Sequence, residues 1–119
     1  MLVVTTNNVP GARVVRTIGT AFGIVVRSRG IGGNIAASFK SIGGGEISNY
    51  TRLVEEGRQQ AMQRLMASAH AMGANAVLAA RFDSGEFAQS MNEVVAYGTA
   101  VVIEPEGTNP PAPAGHPGI

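Results

Sequence analysis

Cysteine is absent from the 119 residues. That excludes a disulfide framework, a thiolate metal site and a cysteine nucleophile, and it fits a reducing compartment. Charge is scarce as well: Asp, Glu, Lys and Arg make up 14% of the chain, against about 25% in an average globular protein. Nine basic and eight acidic residues leave a net charge of +1, so no field of one sign draws nucleic acid or an anionic membrane. Arg13, Arg16, Arg27 and Arg29 line the first hairpin, but with only four Phe and two Tyr the chain lacks aromatics for a base-stacking platform. Those arginines read as solubility or subunit-edge residues. No apolar run reaches the ~18 residues that span a bilayer. The start, Met1-Leu2-Val3-Val4-Thr5-Thr6, has neither the basic n-region nor the apolar stretch of a signal peptide. The expected location is the cytoplasm.

What is present is a chain that is 45% apolar and sized for one domain. A small domain has much surface to cover, and few charges are available here to cover it. Part of the low-charge surface is therefore expected to be buried against another copy of the chain.

The pattern along the sequence predicts an α+β fold, with a three- or four-stranded antiparallel sheet and one long helix. Arg13 to Arg27 is rich in β-branched residues and is interrupted by Gly19 and Gly23. It reads as two short strands or one bent strand, the glycines marking a bend or bulge. Phe22, Ile24 and Val26 form one apolar face of it. Gly30-Ile31-Gly32-Gly33 predicts a loop, Asn34 to about Ile42 a short helix, and Gly43-Gly44-Gly45 its end. Ser48 or Asn49 caps the long helix, whose apolar stripe is Tyr50, Leu53, Gly57, Ala61, Leu65, Ala69 and Met72. Glu55, Glu56, Arg58, Gln59, Gln63 and Arg64 take the other side, and Gly73 supplies the stop.

Ala76 to Asp83 predicts a strand with Ala76, Leu78, Ala80 and Phe82 on one face, followed by a loop from Ser84-Gly85 to about Asn92. The last strand runs from Glu93 to Glu104. Val94, Ala96, Gly98, Ala100 and Val102 give it a small-residue face, and Val95, Tyr97, Thr99, Val101 and Ile103 a bulkier one. A sheet with one face in water alternates apolar with polar residues, and this strand does not. One helix covers one face, so a neighbouring subunit is the simplest cover for the other. Residues 1–104 form the domain. Residues 105–119 hold five of the six prolines and are expected to be a disordered tail, able to reach a protein partner in an adaptor reading of the molecule.

Few residues offer chemistry. The phosphate-binding reading of Gly30-Ile31-Gly32-Gly33-Asn34 is weak, because Ile35 stands where a dinucleotide loop has its third glycine and no P-loop Lys-Ser or Lys-Thr follows. Gly43-Gly44-Gly45 with Arg52 offers a second, equally weak nest. Nucleophilic catalysis needs a base, and His70 is the single histidine of the folded part, His116 lying in the tail. Glu55 and Glu56 are sequence neighbours and diverge on the helix, so they make no glycosidase pair. Tyr50 and Tyr97 read as apolar anchors. No enzyme is expected.

Three stretches carry a family resemblance: Gly44-Gly45-Glu46 with Tyr50-Thr51; Gly73-Ala74-Asn75-Ala76-Val77 with Arg81-Phe82-Asp83; and Met91-Asn92-Glu93-Val94-Val95-Ala96-Tyr97-Gly98-Thr99-Ala100. Their order and spacing resemble the YbjQ-like family, labelled "putative heavy-metal-binding domain", over about residues 3 to 104. The resemblance implies a dodecin-like β-α-β-β unit, an antiparallel sheet packed on a long helix, and a cyclic homo-oligomer, usually a pentamer. One departure stands out. Many members place an acidic residue after the first-hairpin glycine, and here Gly23 is followed by Ile24. If that acid was a ligand in the family, this chain has lost it.

The label directs attention to metal ligands. His70 near the end of the long helix serves the helix dipole in the plain reading, and a ring of symmetry-related His70 side chains in the functional one. Asp83, Glu86 and Glu93, where the last two strands join, would suit a hard cation, or simply flank a solvated loop. Met62 and Met66, one helical turn apart, would suit a soft ion such as Cu(I), or serve as packing. The leading expectation is a non-enzymatic homo-oligomeric binding module, with a metal ion or small molecule held between subunits.

Overall fold

The computed structural model describes residues 1–28, 48–88 and 91–107. The expected short helix at Asn34–Ile42, the glycine loops at 30–33 and 43–45, and the tail beyond Gly107 lie outside the described residues. The elements are β1 (Leu2–Val3), β2 (Ala12–Ser28), α1 (Ser48–Ala71), β3 (Ala76–Ala88) and β4 (Met91–Pro105). They build an α+β unit: one four-stranded sheet in the order β1-β3-β4-β2, with α1 across one face. β4 pairs antiparallel with both β2 and β3, while β1 runs parallel to β3. The sheet is therefore mixed, which corrects the wholly antiparallel expectation. The N-terminus enters along the β3 edge that β4 leaves free, and a two-residue strand has no run of residues to announce it.

β2 is one continuous strand. Its register against β4 shifts between Val14 and Arg16 and again between Thr17 and Gly19, so two bulges bend it. Gly19 (φ +151°) follows the second bulge, a conformation that side chains disfavour. Gly23 has another purpose. A Cβ there would collide with the backbone of α1 at Ala61 and Leu65, so glycine lets the helix seat directly on the strand. The seat is completed by Gly57, Ala61, Leu65 and Ala69, one residue per turn and all buried. Leu65 is fully buried. Its truncation to alanine costs about 2–5 kcal/mol at such a site. Tyr50, expected on the same stripe, is exposed instead.

At its other end α1 stops as predicted. Gly73 takes φ +94°, its N–H donates to the His70 carbonyl (2.9 Å), and Ala74 N–H donates to the Ala69 carbonyl (3.0 Å). This paired closure satisfies two carbonyls that the helix end would otherwise orphan.

β3 departs from its expected alternation. The register pairs Leu78 with Thr99 and Arg81 with Tyr97, so β3 carries one extra residue, a bulge, with Ala79 in the left-handed region (φ 53°). Before the bulge, Val77 faces α1, and Ala76 and Leu78 face away. After it, Ala80 faces α1. The single face expected from Ala76, Leu78, Ala80 and Phe82 is thus split between two cores. Gly98 makes room for the bulge: a Cβ there would lie 2.9 Å from the Leu78 carbonyl oxygen and against the Val77 side chain. The expected loop from Ser84 to Asn92 is corrected too. β3 continues to Ala88 and β4 begins at Met91, with Ser84 opposite Val94 and Gly85 opposite Glu93.

Candidate functional site

The two faces of the sheet are covered to different degrees. On the α1 side, Ala21, Val25, Ala61, Leu65, Ala69, Val77, Ala80, Ala96 and Ala100 close into one core. On the far side, a smaller core of Ala76, Leu78 and Val101 is covered by Val4, Val9 and Ile103. The N-terminal segment makes this cover. Val4 N–H donates to the Val77 carbonyl (3.0 Å), and its carbonyl accepts from Ala80 N–H (2.9 Å). The Thr6 carbonyl accepts from Ala79 N–H (2.8 Å), and the Thr5 carbonyl from the Arg81 guanidinium (2.9 Å). Both N–H groups at the bulge are thereby satisfied, which the backbone requires when pairing with the neighbouring strand is interrupted.

Beyond that segment no described element covers the far face. Directly opposed residues on antiparallel strands share a face, so the register builds it in rows. Arg81, Tyr97 and Phe22 form one row, Asp83, Val95 and Ile24 the next, and Gly85, Glu93 and Val26 the third. Phe22 is 52% exposed, Ile24 48% and Val26 47%. With Tyr97 and half-buried Val95 they make a contiguous apolar surface, bordered by two carboxylates, Asp83 and Glu93. Ile24, where the family resemblance anticipates an acid, sits in the central row.

A second apolar strip lies on the helix side. Tyr50 and Val54, one turn apart, are 51% and 47% exposed. One turn further, the Arg58 guanidinium lies over the Phe82 ring, 5.3 Å from its centroid, a cation–π contact. On the other flank of α1, Arg64 Nη1 donates to the Ile24 carbonyl (2.6 Å) and Arg27 Nη2 to Gln60 Oε1 (3.1 Å). These contacts tie α1 to the outer edge of β2.

The predicted metal ligands do not converge. His70 is exposed on the last turn of α1. Asp83 and Glu93 share the open face on diagonal rows. Glu86 pairs with Asn92 and so falls on the opposite face. Asp83 Oδ1 accepts from its neighbour's Ser84 N–H (2.9 Å). Among the described residues no group of three or more His, Cys, Asp or Glu is placed to hold a metal ion. Met62 is half-buried and packs against the main core, which accounts for it as packing material. Among the described residues no helix is long and apolar enough to cross a membrane.

Comparison with known proteins agrees with the fold. The YbjQ family model, described as "Putative heavy-metal-binding", matches residues 1–104. A UPF0145 protein of Bradyrhizobium sp. (strain ORS 278) is 61% identical over 105 residues, covering 88% of this chain and 95% of that one. A UPF0145 protein of the archaeon Sulfurisphaera tokodaii is 53% identical over 103 residues, 87% and 90% of the two chains. One from Mycobacteroides abscessus is 53% identical over 105 residues, 88% and 98%. Among solved structures, a protein of unknown function of the DUF74 family from Pediococcus pentosaceus superposes with a TM-score of 0.53 at 13% identity, covering 87% of this chain and 98% of that one. At that identity the likeness concerns the fold alone. The family description names a class of ligand and no reaction.

Proposed function

Because the chain belongs to the YbjQ, UPF0145 family, we propose that it is a non-enzymatic binding module that assembles with copies of itself and holds its ligand where copies meet. A ring, with five as the number the family resemblance implies, is the form of assembly. The observation that carries this reading is the open apolar half of the far sheet face, centred on Ile24. Contiguous exposed apolar surface of this kind marks an interaction site on a soluble protein.

The same geometry bears on the ligand. A hard cation of the calcium type takes 6–8 oxygens, and among the described residues one copy offers Asp83 and Glu93 on the open face. A soft heavy metal prefers thiolates, which the cysteine-free chain lacks. A metal ion held by this protein would therefore draw its carboxylates from more than one copy. Native mass spectrometry of the protein purified from its own source tests the proposal. A ring with a constant extra mass supports it, and that mass gives the ligand class. A bare monomer overturns the assembly, and a bare ring, unshifted in melting by any of a panel of metals and metabolites, overturns the ligand.

A further inference from the structure

The sheet ends on β2, a strand of 17 residues whose outer edge pairs with no described strand. Across residues 20–26 it reads Thr-Ala-Phe-Gly-Ile-Val-Val, without a charge or a proline. An apolar stretch of high β-propensity on an unpaired edge is a template for pairing with another chain. In an antiparallel ladder, successive residues turn their backbone groups alternately toward the partner strand and away from it. The register is unbroken over residues 19–28, and the Ile24 carbonyl points outward, where Arg64 meets it. Thr20, Phe22, Ile24 and Val26 therefore present their N–H and C=O groups at the free edge.

We infer that Arg64 guards this edge: its guanidinium, laid on the Ile24 carbonyl, keeps a second copy from pairing strand to strand along residues 20–26 and growing into a cross-β aggregate. The close seat of the helix delivers Arg64 to its post. A Cβ on Gly23 would lie 3.0 Å from the backbone carbonyl carbon of Arg64, so Arg64 stands directly over the strand. Its side chain then reaches round to the next residue's carbonyl, at 2.6 Å. One turn earlier on α1, Gln60 holds Arg27 (3.1 Å), so two cations line the edge. Among the described residues the ion pair formed is Arg13 with Glu104, which leaves the charge of Arg64 without a carboxylate. Two copies meeting edge to edge, antiparallel about Ile24, would set Arg64 against Arg64 and would have to lift each guanidinium from its carbonyl. The other edge of the sheet is managed in the same way. Ser84 alternates with the β4-facing Asp83 and gives its outward N–H to the Asp83 carboxylate (2.9 Å). The guarded edge pairs backbones, and it is separate from the open face, which offers side chains.

Arg64→Met tests the inference, because it keeps the aliphatic stem and removes the charge. The variant is expected to keep the circular dichroism spectrum of the unaltered chain. Its thioflavin T lag under agitation is expected to shorten about fivefold, the factor that one close like-charge contact carries in water. Lags are compared at equal distances below each variant's melting temperature, so that lost stability is not counted as lost protection. Arg64→Gln gives the same comparison with a smaller change. Protease-resistant fibre cores, read by mass spectrometry, are expected to contain residues 20–26. Arg64→Lys, which restores the charge, is expected to restore the long lag. An unchanged lag in both uncharged variants overturns the inference. So does a fibre core that excludes residues 20–26, or an Arg64→Lys chain that aggregates as fast as Arg64→Met.

Discussion

On the α1 side of the sheet most buried residues are small, Gly23, Ala21, Ala61, Ala69, Ala96, Gly98 and Ala100, with Val25 and Val77 from the sheet and Leu65 from the helix as the larger ones. On the far side the residues are larger, yet among the described residues only Ala76, Leu78 and Val101 are buried, packed by Val4 and Val9 of the N-terminal segment and by Ile103. Small residues let the two backbones approach until the residues between them are buried. Large residues without a cover leave apolar surface in water. The closed face is finished within one chain, and the open face, in the assembly proposed above, is finished by another. Their tolerance to substitution should differ accordingly.

The largest effect is expected at Gly23. Gly23→Val drives side-chain atoms into the α1 backbone at Ala61 and Leu65. Overpacking ordinarily costs about 1–3 kcal/mol when side chains can yield; a backbone cannot, so loss of the cooperative melting transition is expected in thermal scans. Leu65→Ala follows, with about 2–5 kcal/mol lost by chemical denaturation. Asn75 links the two regimes at the β3 start. Its side chain donates to the Ile103 carbonyl (2.9 Å) and accepts from Ile103 N–H (2.8 Å), standing in for a paired strand. Asn75→Ala is expected to cost about 1–3 kcal/mol, read by chemical denaturation. The smallest intrinsic effect belongs to the open face. Ile24→Ser should change the stability of the separated chain by less than about 0.5 kcal/mol. Its signature is the loss of any rise in melting temperature with protein concentration, the mark of a fold stabilised by association.

The helix and its buried stripe were legible because Gly57, Ala61, Leu65 and Ala69 repeat once per turn, and the two faces of β4 because strands alternate strictly. The apolar rows at Phe22, Ile24, Val26, Val95 and Tyr97 were legible for the same reason. The bulge at Ala79 was not, since bulges are anticipated from glycine and this one is built from alanine, with the accommodating glycine, Gly98, on the neighbouring strand. The long β3–β4 ladder was misread because Ser84 and Gly85 are turn formers by local preference, and pairing with Val94 and Glu93 overrides it. The candidate ligands Asp83, Glu86 and Glu93 are close in the chain, but alternation places Glu86 opposite to the other two, a separation that proximity in sequence conceals.

The left-handed alanine has one more consequence. The first half of β3 is nearly devoid of distinguishing side chains, Val77 and Leu78 lying among alanines, and such a strand could slide along β4 at little cost. A one-residue slip inverts every side chain of an unbroken strand. Across a bulge whose freed N–H groups are claimed by the Val4 and Thr6 carbonyls, no slipped alignment satisfies both halves together. The kink works as a detent: it gives an otherwise featureless ladder a single position in which to come to rest.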